Sequence, residues 1–223
     1  MHATGLTIGA VPALSVGGTV ALLAQRGLDV DELWTLVDAE GVMAITVVGD
    51  AFSRPMLRGL AEGPPRSLAS VRAILSSGAM FSTEVKQGLL EHLPEGAYVL
   101  DFIASTEGTM GTSIATRGRP APTGHFSPSP GVKVFDEHDH EVVPGSDQGG
   151  LVAVPGAIPL GYFKDPAKTA RTFREVDGVH YSFPGDLATV GADGSLTLLG
   201  RGSQCINTGG EKVFPEEVEE AIK

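Results

Sequence analysis

The sequence predicts an α/β fold: a layered parallel βαβ sheet followed by a smaller antiparallel, β-rich, barrel-like region. Three observations carry this. Through the first half, short apolar runs alternate with segments of helical period. From Arg117 to Leu199 the runs shorten and turn residues divide them. Hydrophobic residues are 42% of the 223 and charged ones 19%, which supplies a real core and excludes the composition of a disordered chain.

Residues 2–24 carry no Asp, Glu, Lys or Arg. That length is nominally enough to cross a bilayer. Four glycines, Pro12 and the lack of a basic flank argue for buried core with no transmembrane span. Within it, Thr19–Leu23 is a short β-rich run. Asp29–Ala39 follows as a helix, with Val30, Leu33, Trp34 and Val37 at helical spacing and acids in its first turn. Met43–Val48 reads as a buried strand, and Phe52–Ala61 as a helix with Pro55 inside its first turn. Ser70–Leu75 is the next strand. Ser82 caps a helix over Thr83–His92, and Val99–Ile103 is a strand. Strands separated by helices of about 10 residues imply right-handed βαβ units.

The second half starts near 112–120, where Arg117-Gly118-Arg119-Pro120 reads as a connector. The hairpin around VKVFDEHDHEVV, the strands GGLVAV and DLATV, and Asp193-Gly194 before SLTLL predict an antiparallel sheet. Pro215 opens a short helix with Glu216, Glu217 and Glu219 at its start. These readings divide the chain into residues 1–115, 116–200 and 201–223.

The net charge is −11 and the pI about 4.9. An acidic chain is a poor binder of a polyphosphate backbone, so nucleic acid is not the expected partner. The lone cysteine, Cys205, excludes a disulfide within the chain and an all-thiolate metal site, and the cytoplasm is the default compartment.

Two loops should lie side by side at the carboxyl ends of parallel strands, where α/β sheets bind ligands. Ser76-Ser77-Gly78-Ala79 offers backbone donors and a glycine beside which a flat ring fits; Ala104-Ser105-Thr106-Glu107-Gly108 offers hydroxyls and a carboxylate. Hydroxyls suit phosphate oxygens and a carboxylate suits Mg²⁺. Small polar residues also simply turn a chain, and spacing alone does not separate the two readings. Asp136–Glu141 holds two histidines among four acids and reads as a solvated hairpin turn rather than a metal site. Asp186 and Arg201 flank a tight hairpin, so they can converge, and an aspartate accepting two hydroxyls is how proteins hold a ribose. Gly209-Gly210 lets a ligand approach the backbone closely.

The stretch from Gly185 to Lys223 resembles the carboxy-terminal motif region of AMP-forming acyl-CoA synthetases (fatty-acid–CoA ligases) of the adenylate-forming ligase superfamily. The matching pieces are Gly185-Asp186, Asp193-Gly194, Gly200-Arg201, Ile206, Gly209–Val213 and Pro215–Glu219. Upstream, Gly149–Leu151, Gly161-Tyr162, Pro166 with Thr169, Ser105–Glu107, Ser77–Ala79, His2 with Gly5, and Gly17–Thr19 are similar to the family's preceding segments. The nearest branch is the actinobacterial fatty-acid and sterol-side-chain ligases.

The resemblance implies that Thr106 and Glu107 are catalytic, with Thr106 on ATP phosphate and Glu107 on Mg²⁺. It implies that Ser77, Gly78, Ala79, Phe102, Ser105, Thr106, Asp186 and Arg201 hold ATP or AMP. His2 and Gly5 would face the acyl pocket, Gly209, Gly210 and Glu211 the CoA side, and Ser203 the domain hinge. Residues 1–115 would then be the acyl and adenylate side, and 201–223 the hinge and start of a further domain. The implied cofactors and partners are ATP, Mg²⁺, CoA and a fatty or sterol-derived carboxylic acid, with pairing to another ligase chain or a second copy also open. The sequence departs from the pattern in four respects. The family's phosphate loop and late catalytic lysine have no counterpart in residues 1–223, so both ends are incomplete relative to the family. Ile103-Ala104 replaces the usual aromatic-Gly before Thr106, leaving Phe102 as the candidate ring. The hinge position carries Ser203 rather than Asp or Lys. The implied function is an ATP-dependent CoA ligase acting through acyl-AMP and impaired alone. A non-catalytic nucleotide- or acyl-binding module, half of a split enzyme, and part of a longer ligase remain as alternatives.

Overall fold

A computed structural model describes residues 4–24 and 27–201, and the backbone of Ile206–Asn207 and Lys212–Val213. It divides into two compact units, residues 1–102 with 113–123, and residues 103–112 with 124–223.

In the first unit, β1 (Ala44–Val47), β2 (Ala73–Ser77) and β3 (Tyr98–Ser105) pair in parallel, with Ile45 opposite Ile74 and Ser77 opposite Phe102. The connections are α3 (Gly49–Glu62) and α4 (Thr83–His92), so the expected βαβ units are present. Helix α2 (Val30–Glu40) starts where the sequence placed it, because the Asp29 carboxylate accepts the Glu32 N–H at 3.0 Å, and it ends on Gly41 at φ 62°. Its buried face, Leu33, Trp34 and Val37, packs with Met56, Ile74, Val85, Leu89, Leu90 and Val99. The Trp34 indole N–H donates to the Met56 carbonyl at 3.3 Å, which lets so large a ring be fully buried.

In the second unit the described strand pairings are antiparallel. The order is β4 (Gly108–Thr116), β5 (His125–Pro128), β11 (Leu196–Arg201), β10 (Asp186–Val190), β7 (Gly150–Pro155), β9 (Val179–Ser182) and β8 (Phe173–Val176), with β6 (Lys133–Phe135) paired to β7. Helix α5 (Pro166–Thr172) precedes β8. One core gathers Met110, Val134, Val152, Ala188 and Leu196, and another gathers Phe135, Tyr181 and Phe183. The hairpin β10–β11 turns at Asp193-Gly194, with Gly194 at φ 81°. Short β12 (Ile206–Asn207) and β13 (Lys212–Val213) pair antiparallel.

The structure corrects five readings. Thr19–Leu23 is not a strand. Its β propensity finds no pairing neighbour among the described residues, and a strand without one is not stable. Residues 4–15 are instead a π-helical segment, Thr4–Ala10, and α1 (Val11–Ser15). The apolar amino-terminal region is not buried core: Val16 is 84% and Leu22 80% exposed. It is tied to the sheet at Thr4, whose hydroxyl donates to the Ser77 carbonyl at 3.4 Å, and at Gly9 against Thr46. Helix α3 begins at Gly49, so Pro55 lies in its interior and leaves the Ala51 carbonyl without its helical donor. Strand β2 starts at Ala73, since Ser70 belongs to a turn and donates its hydroxyl to the Val42 carbonyl at 2.9 Å. Ser82 stands at the N-cap of α4 without capping it. Its hydroxyl donates to Asp50 Oδ1 at 3.0 Å, and that same oxygen accepts the Ser82 N–H at 2.9 Å.

Candidate functional site

In the first unit, the loop after β2 is built from beneath. Ser76 and Ser77 are buried, while Gly78 (φ 91°) and Ala79 are exposed. The Gly49 N–H donates to Ser76 Oγ at 3.2 Å, and the Asp50 N–H donates to the Met80 carbonyl at 2.9 Å. Arg54 holds the second Asp50 oxygen at 2.9 Å. The loop after β1 thus fixes the loop after β2. Gly49 and Asp50 were missed in the sequence, although a Gly-Asp pair directly after an apolar strand was the visible sign. Phe102 is half-buried, opposite Ser77 in the register. Below this edge lies a buried ion pair, Lys86 on α4 to Asp101 on β3 at 3.4 Å. Burial pushes the Asp101 carboxyl up to about 6, against the opposing pull of Lys86 and a hydrogen bond with Ser76.

In the second unit, Thr106 and Glu107 form the tight turn joining β3 to β4. Thr106 is exposed at its tip. The Glu107 N–H donates to Ser105 Oγ at 3.2 Å, and the Glu107 carboxylate accepts the Tyr162 hydroxyl. Burial works to raise the Glu107 carboxyl, but Tyr162, Ser105 and the Lys168 charge outweigh it and hold it below the ordinary range. Asp186 opposes Arg201 across β10 and β11, as the hairpin predicted, and Arg201 Nε donates to Asp186 Oδ1 at 3.3 Å. The Asp186 side chain is only 8% exposed, and its Oδ2 is buried with no hydrogen-bond partner among the described residues. Burial raises the Asp186 carboxyl, Arg201 opposes this, and Glu107 adds a further raising repulsion. Ser105, Thr106, Glu107, Asp186 and Arg201 therefore belong to one unit, and Glu107 and Asp186 feel each other's charge.

Gly5 is exposed in the π-helical segment. His2, Ser203, Gly209, Gly210 and Glu211 lie outside the described residues. Asp136 closes its hairpin turn by accepting the His138 and His140 N–H groups, both at 2.9 Å. No described helix is long and apolar enough to cross a membrane. The sequence also missed Lys168, whose ammonium stands 3.9 Å from the Tyr162 ring centroid.

A family model described as AMP-binding enzyme matches residues 1–163. The chain belongs to the AMP-binding enzyme family. This AMP-binding enzyme chain is 47% identical over 201 residues to the 3-oxocholest-4-en-26-oate–CoA ligase of Rhodococcus rhodochrous, a match covering 86% of the chain and 36% of that protein. It is 44% identical over 217 residues to the medium/long-chain-fatty-acid–CoA/3-oxocholest-4-en-26-oate–CoA ligase of Mycolicibacterium smegmatis, covering 95% of the chain and 39% of that protein. The chain thus spans less than two fifths of the length of these relatives. Its fold superposes on the crystal structure of ATP-bound MatB from Rhodopseudomonas palustris with a TM-score of 0.77, at 25% identity over 99% of the chain and 42% of that protein. The mixed α/β architecture is therefore that of the AMP-binding enzymes.

Proposed function

We propose that this chain carries the nucleotide-holding part of a ligase that joins a carboxylic acid to CoA, driven by ATP. In the first step a carboxylate oxygen attacks the α-phosphorus of ATP, giving acyl-AMP and releasing pyrophosphate. In the second the CoA thiol gives up its proton to solvent and its sulfur attacks the acyl carbon, the thioester forms, and AMP leaves with the electron pair of the broken C–O bond. The fatty-acid and sterol-side-chain names of the relatives at 44–47% identity support that class of acid. Charge handling dominates such chemistry, so the carboxylates and cations matter most.

The observation that carries the reading is Asp186. One of its oxygens is held by Arg201 and the other is buried without a donor among the described residues. A buried acceptor left unpaired costs free energy, and ribose hydroxyls would supply what it lacks. Arg201 then orients the carboxylate and adds to the grip. Ser77, Gly78 and Ala79 would line the adenine, with Phe102 as the nearby ring. Thr106 would meet a phosphate oxygen. Glu107 fits Mg²⁺, since its carboxylate is held in the ionised form at the tip of a turn; the metal, when bound, would neutralise phosphate charge. Gly5 and His2 would face the acyl group, Gly209, Gly210 and Glu211 the CoA, and Ser203 the hinge.

Asp186→Asn tests this. Hydrogen bonds to a charged group contribute about 1.5–3 kcal/mol, so AMP affinity by calorimetric titration should fall at least about 10-fold. Stability should move the other way. The folded state raises the Asp186 carboxyl, so the ionised form burdens the fold, and stability falls as pH rises through the raised value. The neutral amide removes that burden and should raise the thermal midpoint at pH 7. Equal AMP affinities for the two proteins would refute the role.

A further inference from the structure

We infer that Tyr162 is a positioning residue that holds the Glu107 carboxylate in place for a divalent cation, and that the segment from Gly161 to Thr169 is built to hold Tyr162. This rests on the reading of Glu107 as the cation-holding carboxylate. The Tyr162 hydroxyl donates to Glu107 Oε1 from 55 positions further along the chain. Its ring is fixed on two sides: the Phe173 ring lies 5.6 Å away, tilted by 53°, and the Lys168 ammonium stands over its face. A cation over the ring draws electron density from the phenol and makes its O–H a stronger donor.

The backbone is fixed as well. The Tyr162 N–H donates to Thr169 Oγ1 at 2.9 Å, and Thr169 Oγ1 donates to the Asp165 carbonyl at 2.7 Å. The Asp165 carboxylate caps α5 by accepting the Lys168 N–H at 2.9 Å, and Pro166 opens that helix. A Cβ at Gly161 would stand 2.5 Å from Thr169 Cγ2, so this close approach requires glycine. A helix cap, a hydroxyl and a glycine thus all serve the placement of one phenol.

The consequence lies in the carboxylate. With Tyr162 on one oxygen, Glu107 is hindered from chelating with both and offers the other singly. A six-coordinate Mg²⁺ that keeps several waters takes carboxylates in that way. Hydrogen bonds to a ligating carboxylate orient it, and losing one costs about 10–100-fold in metal affinity.

The experiment follows free Mn²⁺ by electron paramagnetic resonance as it is titrated into the chain with ATP. Tyr162→Phe removes only the hydroxyl. It should weaken Mn²⁺ binding about 10-fold or more, while AMP affinity in EDTA changes less than about two-fold. Thr169→Val, which unclamps Tyr162 from behind, should weaken Mn²⁺ binding in the same direction and stands in if the first variant does not fold. Unchanged Mn²⁺ affinity in these variants, or an equal loss of AMP binding, overturns the inference. Glu107→Gln separates the two levels. If it weakens Mn²⁺ binding and Tyr162→Phe does not, the positioning role alone fails. If it leaves Mn²⁺ binding unchanged, or the wild-type chain takes up no Mn²⁺ with ATP, the reading of Glu107 fails and the inference with it.

Discussion

Replacing Lys86 with methionine is expected to cost the fold about 3–5 kcal/mol, a large part of the roughly 5–15 kcal/mol that a domain possesses. The Lys86 side chain is 1% exposed and that of Asp101 5%, so removing the cation leaves a carboxylate buried without its counter-charge. The ammonium makes no hydrogen bond of sound geometry among the described residues, and its other close neighbour is the Phe81 ring at 5.6 Å. The pair is thus held by charge and burial, and replacing both partners with uncharged residues of similar volume recovers what one partner alone does not. Lys86→Met with Asp101→Asn should therefore be far more stable in urea than either single variant. Additive losses in the double variant would contradict the account. The wild type should also show a pH signature. Folding raises the Asp101 carboxyl from 3.8 to about 6, so the folded chain binds more protons across that window and stability falls as pH rises through it. A rise of that size corresponds to about 3 kcal/mol, and the slope should vanish in the double variant.

Gly49→Ala is expected to cost about 3 kcal/mol or more and to disturb the loop proposed to hold adenine. Gly49 has φ 53°, a left-handed conformation that costs an alanine about 1–2 kcal/mol. The added Cβ would meet the Met80 carbonyl oxygen at 2.3 Å and the Ala79 carbonyl group at 2.9 Å. These are backbone atoms, so residues 79–80 must move. The hydrogen bond from Asp50 N–H to Met80 and the two from Ser82 to Asp50 are then strained together. Urea unfolding measures the stability loss and AMP titration the loosened loop. A variant within about 1 kcal/mol of wild type, with unchanged AMP affinity, would show that the loop tolerates displacement.

Locally encoded features were legible in the sequence. The runs MAITVV and VLDFI form strands whose alternate residues Ile45, Val47, Val99 and Ile103 are buried, and Asp29 caps α2 through a neighbour three residues on. Asp193-Gly194 fixes a hairpin, and the hairpin sets Asp186 opposite Arg201, so that part of the candidate site was readable as well. What escaped depends on partners distant in the chain. Ser82 looks like a cap, but Asp50 takes its hydroxyl from 32 positions away. Thr19–Leu23 has strand composition and no strand beside it among the described residues. Tyr162 resembled part of a family motif, yet nothing in its neighbours announces a bond to Glu107. Lys86 on α4 carries a charge that amphipathic patterning assigns to solvent, and only the tertiary fold places Asp101 above it.

The most direct test of the central claim, that this chain holds an adenylate, is a thermal melt of the purified protein with and without a non-hydrolysable acyl-adenylate. At 100 times its dissociation constant a ligand adds about 2.7 kcal/mol, and the midpoint of a cooperative melt should rise by several degrees. A cooperative melt that the adenylate leaves unmoved at saturating concentration would contradict the account.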